Sequence, residues 1–370
     1  MVSLYIHVPF CAVRCGYCDF NTYLPEHAGI DFKEYLAGLD RELTLAERTF
    51  GSGAELQTVF FGGGTPTLLG DSLAASLELV RRRFTIPSDA EVSTEANPET
   101  LTPKLLDTLL VAGFNRLSIG MQSSCERVLT VLDRAHTPGR VVAAVGQAKV
   151  AGFTNINLDL IYGTPGETMF EWRCSLQHAL ATEPTHLSAY ALTLESNTPL
   201  ARRIARGELA AITADDLADK YLVTEAEVSQ AGFCNYEISN WSLPGRECRH
   251  NMAYWLGADW WGIGPGAHSH IGMRRWWNVN SPRRWMTALA AGKSPCAGEE
   301  TLDDAAQKTE RVMLRLRLAT GLPLEWLPAS VGNQLNGYVT AGLALIVNNS
   351  LVLTAPGRLL ADRIALELLD

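Results

Sequence analysis

The chain has 370 residues, of which 47% are hydrophobic and 19% are charged, so it can bury a sizeable core and is not a largely disordered polypeptide. Its formal net charge of −9 is unlike that of a general nucleic-acid binder, which is basic. No apolar run reaches the ~18–20 residues needed to span a bilayer, and the first residues lack the features of a signal peptide. We therefore expect a cytoplasmic protein with no nucleic-acid partner and no integral membrane segment.

The first half of the chain alternates short apolar segments with longer amphipathic ones. Period and composition predict strands over residues 4–8, 57–61, 91–94, 116–119, 155–161 and 186–192. They predict helices over residues 32–49, 72–84, 104–112, 140–151 and 169–182. This alternation over about 200 residues predicts an α/β fold with a parallel sheet, either open and doubly wound or curved into a partial barrel.

The pattern changes after about residue 200. A helix is predicted over residues 214–231, and residues 236–277 hold six of the nine tryptophans. An amphipathic helix over 305–319 follows, and residues 338–346, 351–353 and 359–369 are predicted as helix, strand and helix, which is compatible with a small winged-helix-like module. We expect three parts, residues 1–215, 216–295 and 296–370.

Three of the eight cysteines, Cys11, Cys15 and Cys18, lie within eight residues directly after the first predicted strand. A chain of this size needs no disulfides for its core, so the cluster indicates metal ligation or redox chemistry. Three thiolates can hold three irons of a [4Fe–4S] cube and leave the fourth iron open. The alternative is a zinc site completed by His7 or His27.

A run of glycines follows the second predicted strand, in the segment Phe61-Gly62-Gly63-Gly64-Thr65-Pro66-Thr67. Glycines at this place let the backbone approach a small ligand closely, although a plain turn has the same composition. The segment fits neither the phosphate loop nor the dinucleotide-binding motif.

Polar side chains stand at or after the later strands. Glu95, Gln122 and Arg134 follow predicted strands, and Asp159 lies inside an otherwise apolar one. A carboxylate there costs several kcal/mol unless it is paired or binds a ligand. Taken singly, each of the four has an ordinary alternative as a helix cap, a turn residue or half of a buried ion pair.

The tryptophan-rich part contains His250-Asn251-Met252-Ala253-Tyr254-Trp255 and, further on, His268 and His270 in a glycine-rich stretch. Imidazole is a common axial ligand of haem iron, and aromatic bulk suits a flat apolar ligand. On these residues alone, a packed core with a hydrogen-bonded histidine is the favoured explanation. Cys248, His268 and His270 are weaker candidate ligands than His250.

The segment from Tyr5 to Cys11, with Cys15-Gly16-Tyr17-Cys18, resembles the cluster motif of radical S-adenosylmethionine (SAM) proteins. Within that superfamily it is similar to the branch of oxygen-independent coproporphyrinogen III oxidases and related haem chaperones. Such proteins hold a [4Fe–4S] cluster on three cysteines, chelate SAM on the open iron and cleave it to a radical. The resemblance implies a partial (β/α)6 barrel with a C-terminal α+β extension.

The resemblance also assigns roles to residues. It implies that Cys11, Cys15 and Cys18 bind the cluster, and that the Gly63-Gly64-Thr65 segment faces the amino group of SAM. The remaining SAM-site positions that it implies are Tyr5, Tyr17, Glu95, Gln122, Arg134 and Asp159. His250-Asn251-x-x-Tyr254-Trp255 matches the HNxxYW motif of the haem-chaperone members, which implies His250 as the haem ligand.

Two features separate the chain from the oxidases that it resembles. Those enzymes carry a further cysteine two residues after the third, where this chain has Phe20, and a long extension before the cluster, where only ten residues precede Cys11. We therefore favour a haem chaperone that binds haem, one [4Fe–4S] cluster and SAM and delivers haem to an acceptor haemoprotein, with respiratory haemoproteins as candidates. A coproporphyrinogen III oxidase is the alternative, and a zinc-binding module the third hypothesis.

Overall fold

A computed structural model describes residues 2–369, and its first half builds the predicted α/β unit. The elements there are β1 (Val2–Val8), α1 (Phe32–Phe50), β2 (Leu56–Gly63), α2 (Asp71–Arg81), β3 (Glu91–Ala96), α3 (Pro103–Ala112), β4 (Arg116–Gln122), α4 (Glu126–Val131), α5 (Pro138–Ala151), β5 (Ile156–Tyr162), α6 (Met169–Ala181) and β6 (His186–Ala191). Each predicted strand and helix of this half is present.

The tryptophan-rich part forms further strands and helices beside this unit. They are α7 (Pro199–Ala205), α8 (Ala214–Gln230), β7 (Cys234–Glu237), β8 (Asn240–Ser242), α9 (Arg249–Trp255), β9 (Asp259–Ile263), β10 (His268–Ile271), β11 (Arg274–Asn278), α10 (Pro282–Ala290) and β12 (Cys296–Thr301).

One sheet of twelve strands runs through the described residues in the order β12-β11-β10-β9-β1-β2-β3-β4-β5-β6-β8-β7. Strands β1 to β6 pair in parallel, each with the next along the chain, and β9 joins β1 in parallel on the other side. The sheet is open, because β12 and β7 are its two edges. This confirms the predicted α/β architecture, and the carboxyl ends of β1 to β6 meet at one edge, where ligand sites of such sheets lie.

The apolar residues of the strands and of the helices that cover the sheet form the main core. Leu4, Ile6, Val59, Phe61 and Leu158 belong to it and are buried. Two caps fix where helices begin: Asp31 accepts the backbone N–H of Glu34 in a capping box at α1, and Thr168 does the same for Glu171 at α6.

The last part of the chain packs around a core of its own. Its elements are α11 (Asp304–Leu316), β13 (Leu322–Pro323), α12 (Gly332–Thr340), β14 (Ala344–Val347), β15 (Ser350–Leu353), α13 (Ala355–Arg358) and α14 (Ala361–Glu367). The predicted helix over residues 338–346 is therefore wrong in its second half, because a turn with Gly342 at a φ of 71° ends the helix and a strand follows.

The domain boundaries stay predictions, although β12 pairs with β11 and so belongs to the large sheet. No described helix has the length and apolar composition that a membrane crossing requires.

Candidate functional site

The three clustered cysteines lie in a loop between β1 and α1 that the surrounding backbone holds in place. The N–H of Cys11 donates to the carbonyl of Tyr23 at 3.0 Å, and the N–H of Cys18 donates to the carbonyl of Cys15 at 3.2 Å. Burial raises the pKa of the Cys11 thiol, and it raises the pKa of the Cys18 thiol to about 11. Both thiols are therefore protonated at neutral pH unless a metal displaces the proton.

The glycine run after β2 packs against this loop. The N–H groups of Gly64 and Thr65 donate to the carbonyls of Val8 and Phe10 at 2.8 and 2.7 Å. A Cβ at Gly64 would stand 2.5 Å from the carbonyl oxygen of Phe10. Gly63 has a φ of 107°, and a Cβ there would meet the ring of His7 at 2.4 Å. Glycine is therefore required at both positions because the two loops touch.

Two half-buried carboxylates, Glu95 and Asp159, face the same space from β3 and β5. Glu95 accepts the N–H of Gly63 at 2.9 Å, which links it to the glycine run. Asp159 accepts hydrogen bonds from the hydroxyl of Ser118 at 2.7 Å and the amide of Asn157 at 2.9 Å. Burial raises the pKa of both groups, that of Glu95 to about 7 with a further contribution from the charge of Asp159. A cationic ligand would relieve this unfavourable concentration of acids.

Gln122 and Arg134 complete the ring of side chains from the region of β4. Gln122 is buried with a φ of 62°, a left-handed conformation that is unusual for a residue with a side chain. The Arg134 guanidinium lies 3.5 Å from the sulfur of Cys15 and donates to the carbonyl of Gly120 at 3.1 Å. The guanidinium thus places a positive charge beside the cysteine loop.

These side chains enclose one cavity of about 430 Å³ at the carboxyl ends of the parallel strands. It brings together eleven of the thirteen residues that the sequence predicted for the site: Cys11, Cys15, Tyr17, Cys18, Gly63, Gly64, Thr65, Glu95, Gln122, Arg134 and Asp159. Tyr5 and His250 lie elsewhere. That eleven of these residues line one cavity does not test what they bind, so their ligand roles remain predictions.

The donor set suits a cluster better than a single metal ion. No three described His, Cys, Asp or Glu side chains are close enough together to hold one metal ion. A [4Fe–4S] cube requires no such convergence, because each of its thiolates binds a different iron. The carboxylates of Glu95 and Asp159 fit a ligand with positive charge, and SAM carries both an ammonium and a sulfonium group.

Tyr5 and His250 line a second cavity of about 230 Å³ that shares Glu95 and Asp159 with the first. His250 is 2% exposed. Its Nδ1 lies 2.7 Å from the hydroxyl of Thr58, and its Nε2 lies 2.8 Å from the hydroxyl of Tyr254. Both ring nitrogens are thus occupied. Binding of haem iron by His250 would require one of these hydrogen bonds to break, and this role stays a prediction.

Sequence reasoning missed the polar residues that connect the two cavities. The side-chain amide of Asn157 donates to Asp159 at 2.9 Å, its oxygen lies 2.6 Å from Nδ1 of His186, and Nε2 of His186 lies 2.8 Å from the hydroxyl of Tyr236. Buried Arg116 also lines the second cavity. The available clue was polar residues two apart in otherwise apolar strands, such as Asn157 and Asp159.

Comparison with known proteins agrees with the class that the sequence resembles, the radical SAM proteins. A family model described as the radical SAM superfamily matches residues 5–178. In structure, the chain is similar to the Escherichia coli coproporphyrinogen III oxidase HemN, a radical SAM enzyme, with a TM-score of 0.84 over 99% of this chain and 89% of that one. Their sequences are 24% identical, so this likeness shows the fold. Fold and cysteine loop together define a radical SAM domain.

The curated relatives narrow the assignment. The chain is 50% identical over 369 residues to the heme chaperone HemW of Mycobacterium tuberculosis, which covers 99% of this chain and 94% of that protein. It is 32% identical to the heme chaperone HemW of Bacillus subtilis, over 98% of each chain. The chain therefore belongs to the HemW family of radical SAM proteins.

Proposed function

We propose that this protein is a haem chaperone on a radical SAM scaffold, which binds haem and passes it to an acceptor haemoprotein. The observation that carries the proposal is the 50% identity, over nearly the whole of both chains, to a protein named heme chaperone. The acceptor is a haemoprotein, and respiratory haemoproteins are the candidates that we would test first.

The proposal includes a [4Fe–4S] cluster on Cys11, Cys15 and Cys18 and SAM in the adjoining cavity. When bound, the cluster supplies an electron to SAM. The chain's own residues bind and orient: the Arg134 guanidinium offsets negative charge at Cys15, and Glu95 and Asp159 attract the positive groups of SAM. Gly63 and Gly64 leave room for the backbone of the two loops to lie against each other.

The position of Phe20 supports a chaperone over an oxidase. This side chain lines the mouth of the large cavity and is 60% exposed. The oxidases that the sequence resembles have a cysteine at this place in the motif. A phenyl ring offers no thiol for metal or radical chemistry, and it adds apolar surface at the opening.

Two assays on one anaerobically reconstituted sample test the proposal. Haem titration followed by absorption should show saturable binding, and incubation of coproporphyrinogen III with SAM and a reductant should give no protoporphyrinogen. Robust protoporphyrinogen formation would instead establish the oxidase alternative.

Cysteine variants test the cluster in the same preparation. Alanine at Cys11, Cys15 or Cys18 should abolish the broad thiolate-to-iron absorption near ~400 nm and the bound iron and sulfide. Alanine at Cys234, which is exposed, serves as the control and should leave both unchanged. Iron retained by all three single variants would refute the assignment.

A further inference from the structure

Two histidines and two tryptophans share one face of the large sheet outside the cavities already described. His268 and His270 are two residues apart on β10, so their side chains point to the same face and lie about 7 Å apart. The strand register puts His268 opposite Trp277 of β11 and His270 opposite Trp260 of β9. We call these four residues the His–Trp face.

The rings of this face form two ordered pairs. His268 stacks on Trp277, with ring centroids 5.9 Å apart and an angle of 24° between the planes. His270 meets Trp260 edge to face, with centroids 4.9 Å apart and an angle of 84°. Together the pairs present imidazole nitrogens between two broad indole surfaces.

The His–Trp face continues the side of the sheet that carries both cavities. In the parallel pairing of β1 with β9, Tyr5 lies opposite Gly262 and Ser3 opposite Trp260. Trp260 therefore points to the same side as Tyr5, which lines the second cavity. Burial lowers the pKa of His7, which sits against the glycine run, and the neighbouring imidazole of His268 lowers it further.

The buried imidazole of His270 lacks hydrogen-bond partners on both nitrogens, whereas buried His136 lacks one only on Nε2 among the described residues. His270 is 7% exposed, and neither of its ring nitrogens has a hydrogen-bond partner in residues 2–369. By contrast, both ring nitrogens of His7, His186 and His250 are hydrogen-bonded. Because buried polar groups are normally paired, the orphaned nitrogens of His270 point to a missing ligand.

His268 has the properties of a free metal ligand. Its side chain is exposed, and its contact with Nε1 of Trp260, at 3.2 Å, uses its backbone oxygen and leaves the ring free. Partial burial lowers its pKa, so the imidazole is neutral at neutral pH and keeps a lone pair for a metal.

We propose that the His–Trp face is the haem-binding surface, with His268 as the iron ligand and Trp260 and Trp277 in contact with the porphyrin. His270 then donates a hydrogen bond to a haem propionate, which satisfies a nitrogen that is otherwise orphaned. Arg275, opposite His270 on β11, is already paired with the carboxylates of Glu300 and Glu310, so the propionate contact rests on His270. This site rests on the proposed haem-binding function and gives it a place on the molecule.

Titration of the full-length protein with ferric haem tests the site by absorption. His268→Ala should weaken binding about tenfold to a hundredfold and shift the Soret band, and added imidazole should restore the band position in His268→Gly. Trp277→Leu should also weaken binding. His178→Ala is the matched control, since His178 is an exposed histidine on α6, and it should bind haem like the parent.

The outcomes separate the site from the function. If the parent binds haem and both His268→Ala and Trp277→Leu bind it equally well, the His–Trp face is overturned and the chaperone proposal stands. A parent protein that binds no haem would overturn both. A variant that binds haem more weakly counts as folded when its circular dichroism spectrum and its iron content equal those of the parent.

Discussion

The Nδ1 atom of His250 lies 2.7 Å from the hydroxyl oxygen of Thr58, which ties α9 to β2 inside the sheet. Glu91, the first residue of β3, accepts the backbone N–H groups of Arg249 and His250 at 2.8 and 3.1 Å. Helix α9 therefore closes the amino ends of the parallel strands, opposite the edge that carries the cysteine loop. The His250-Asn251-x-x-Tyr254-Trp255 motif has a structural explanation in these contacts.

This explanation predicts that His250→Ala mainly destabilises the fold. Removal of the imidazole leaves the hydroxyls of Thr58 and Tyr254 without their partner, at a cost of about 1–3 kcal/mol for each buried group. Urea unfolding of the apo-protein should therefore give a free energy lower by about 2–6 kcal/mol. His178→Ala on the surface should change it little. Unchanged stability in His250→Ala together with a loss of haem binding would support the axial-ligand prediction.

The buried imidazole also predicts a pH dependence. Burial, helped by the charge of Arg116, lowers the pKa of His250 to about 3, whereas an unfolded histidine has its ordinary value of 6.5. The unfolded state then binds more protons, so the stabilising contribution is complete above 6.5 and is lost as the pH falls towards 3.

The corresponding slope can be measured. Between these two pKa values the free energy of unfolding should change by up to about 1.4 kcal/mol per pH unit because of this one group. Unfolding curves at several pH values for the parent and His250→Gln should differ by that slope. Parallel pH profiles would mean that His250 titrates normally in the folded protein.

The contact between the glycine run and the cysteine loop predicts that Gly64→Ala lowers iron content. The added Cβ would stand 2.5 Å from the carbonyl oxygen of Phe10, one residue before Cys11, so the loop must move. Gly146→Ala is the control, because a Cβ at Gly146 on α5 meets nothing within 4 Å. After identical anaerobic reconstitution, Gly64→Ala should retain clearly less iron and sulfide than the parent and Gly146→Ala. Full cluster content in Gly64→Ala would show that the loop tolerates the displacement.

The half-buried carboxylate on β5 predicts an effect on SAM alone. Asp159→Asn removes a charge, while the hydroxyl of Ser118 and the amide of Asn157 can still bond to the new side chain. A charged hydrogen bond contributes about 1.5–3 kcal/mol, so SAM affinity should fall about tenfold to a hundredfold with the cluster intact. Equilibrium dialysis with labelled SAM measures this, and Asp107→Asn on helix α3 is a matched change outside the cavity. Equal affinity in the parent and Asp159→Asn would remove Asp159 from the SAM site.

The sequence predicted the parallel half of the fold well, because each strand there is a compact apolar segment bounded by glycine or polar residues. It did not predict β7 to β12. Those strands are short, and residues 259–278 mix tryptophan, arginine and glycine without regular alternation, although they extend the sheet beyond β1. The predicted helix over 338–346 overlaps the strand Ala344–Val347 because an apolar run of this length fits either period.

For the site, motifs of a few neighbouring residues could be recognised in the sequence, whereas contacts between distant residues could not be predicted from it. Cysteine spacing and the glycine run lie within a few residues of chain, so they are visible in the sequence. The chain of contacts from Asp159 through Asn157 to His186 depends on the register of β5 and β6, which only the structure supplies. The same holds for His250, whose partner Thr58 is 192 residues away.

The central claim is that the protein carries haem and gives it up to another protein. The most direct measurement is to load the anaerobically reconstituted protein with one equivalent of ferric haem, remove free haem, and mix it with apomyoglobin as the acceptor. We predict that the absorption spectrum of the loaded protein is replaced by that of holomyoglobin, with the protein and its cluster recovered unchanged. A protein that loses its haem during removal of the free ligand, or that retains all of it in the presence of excess apomyoglobin, would contradict the account.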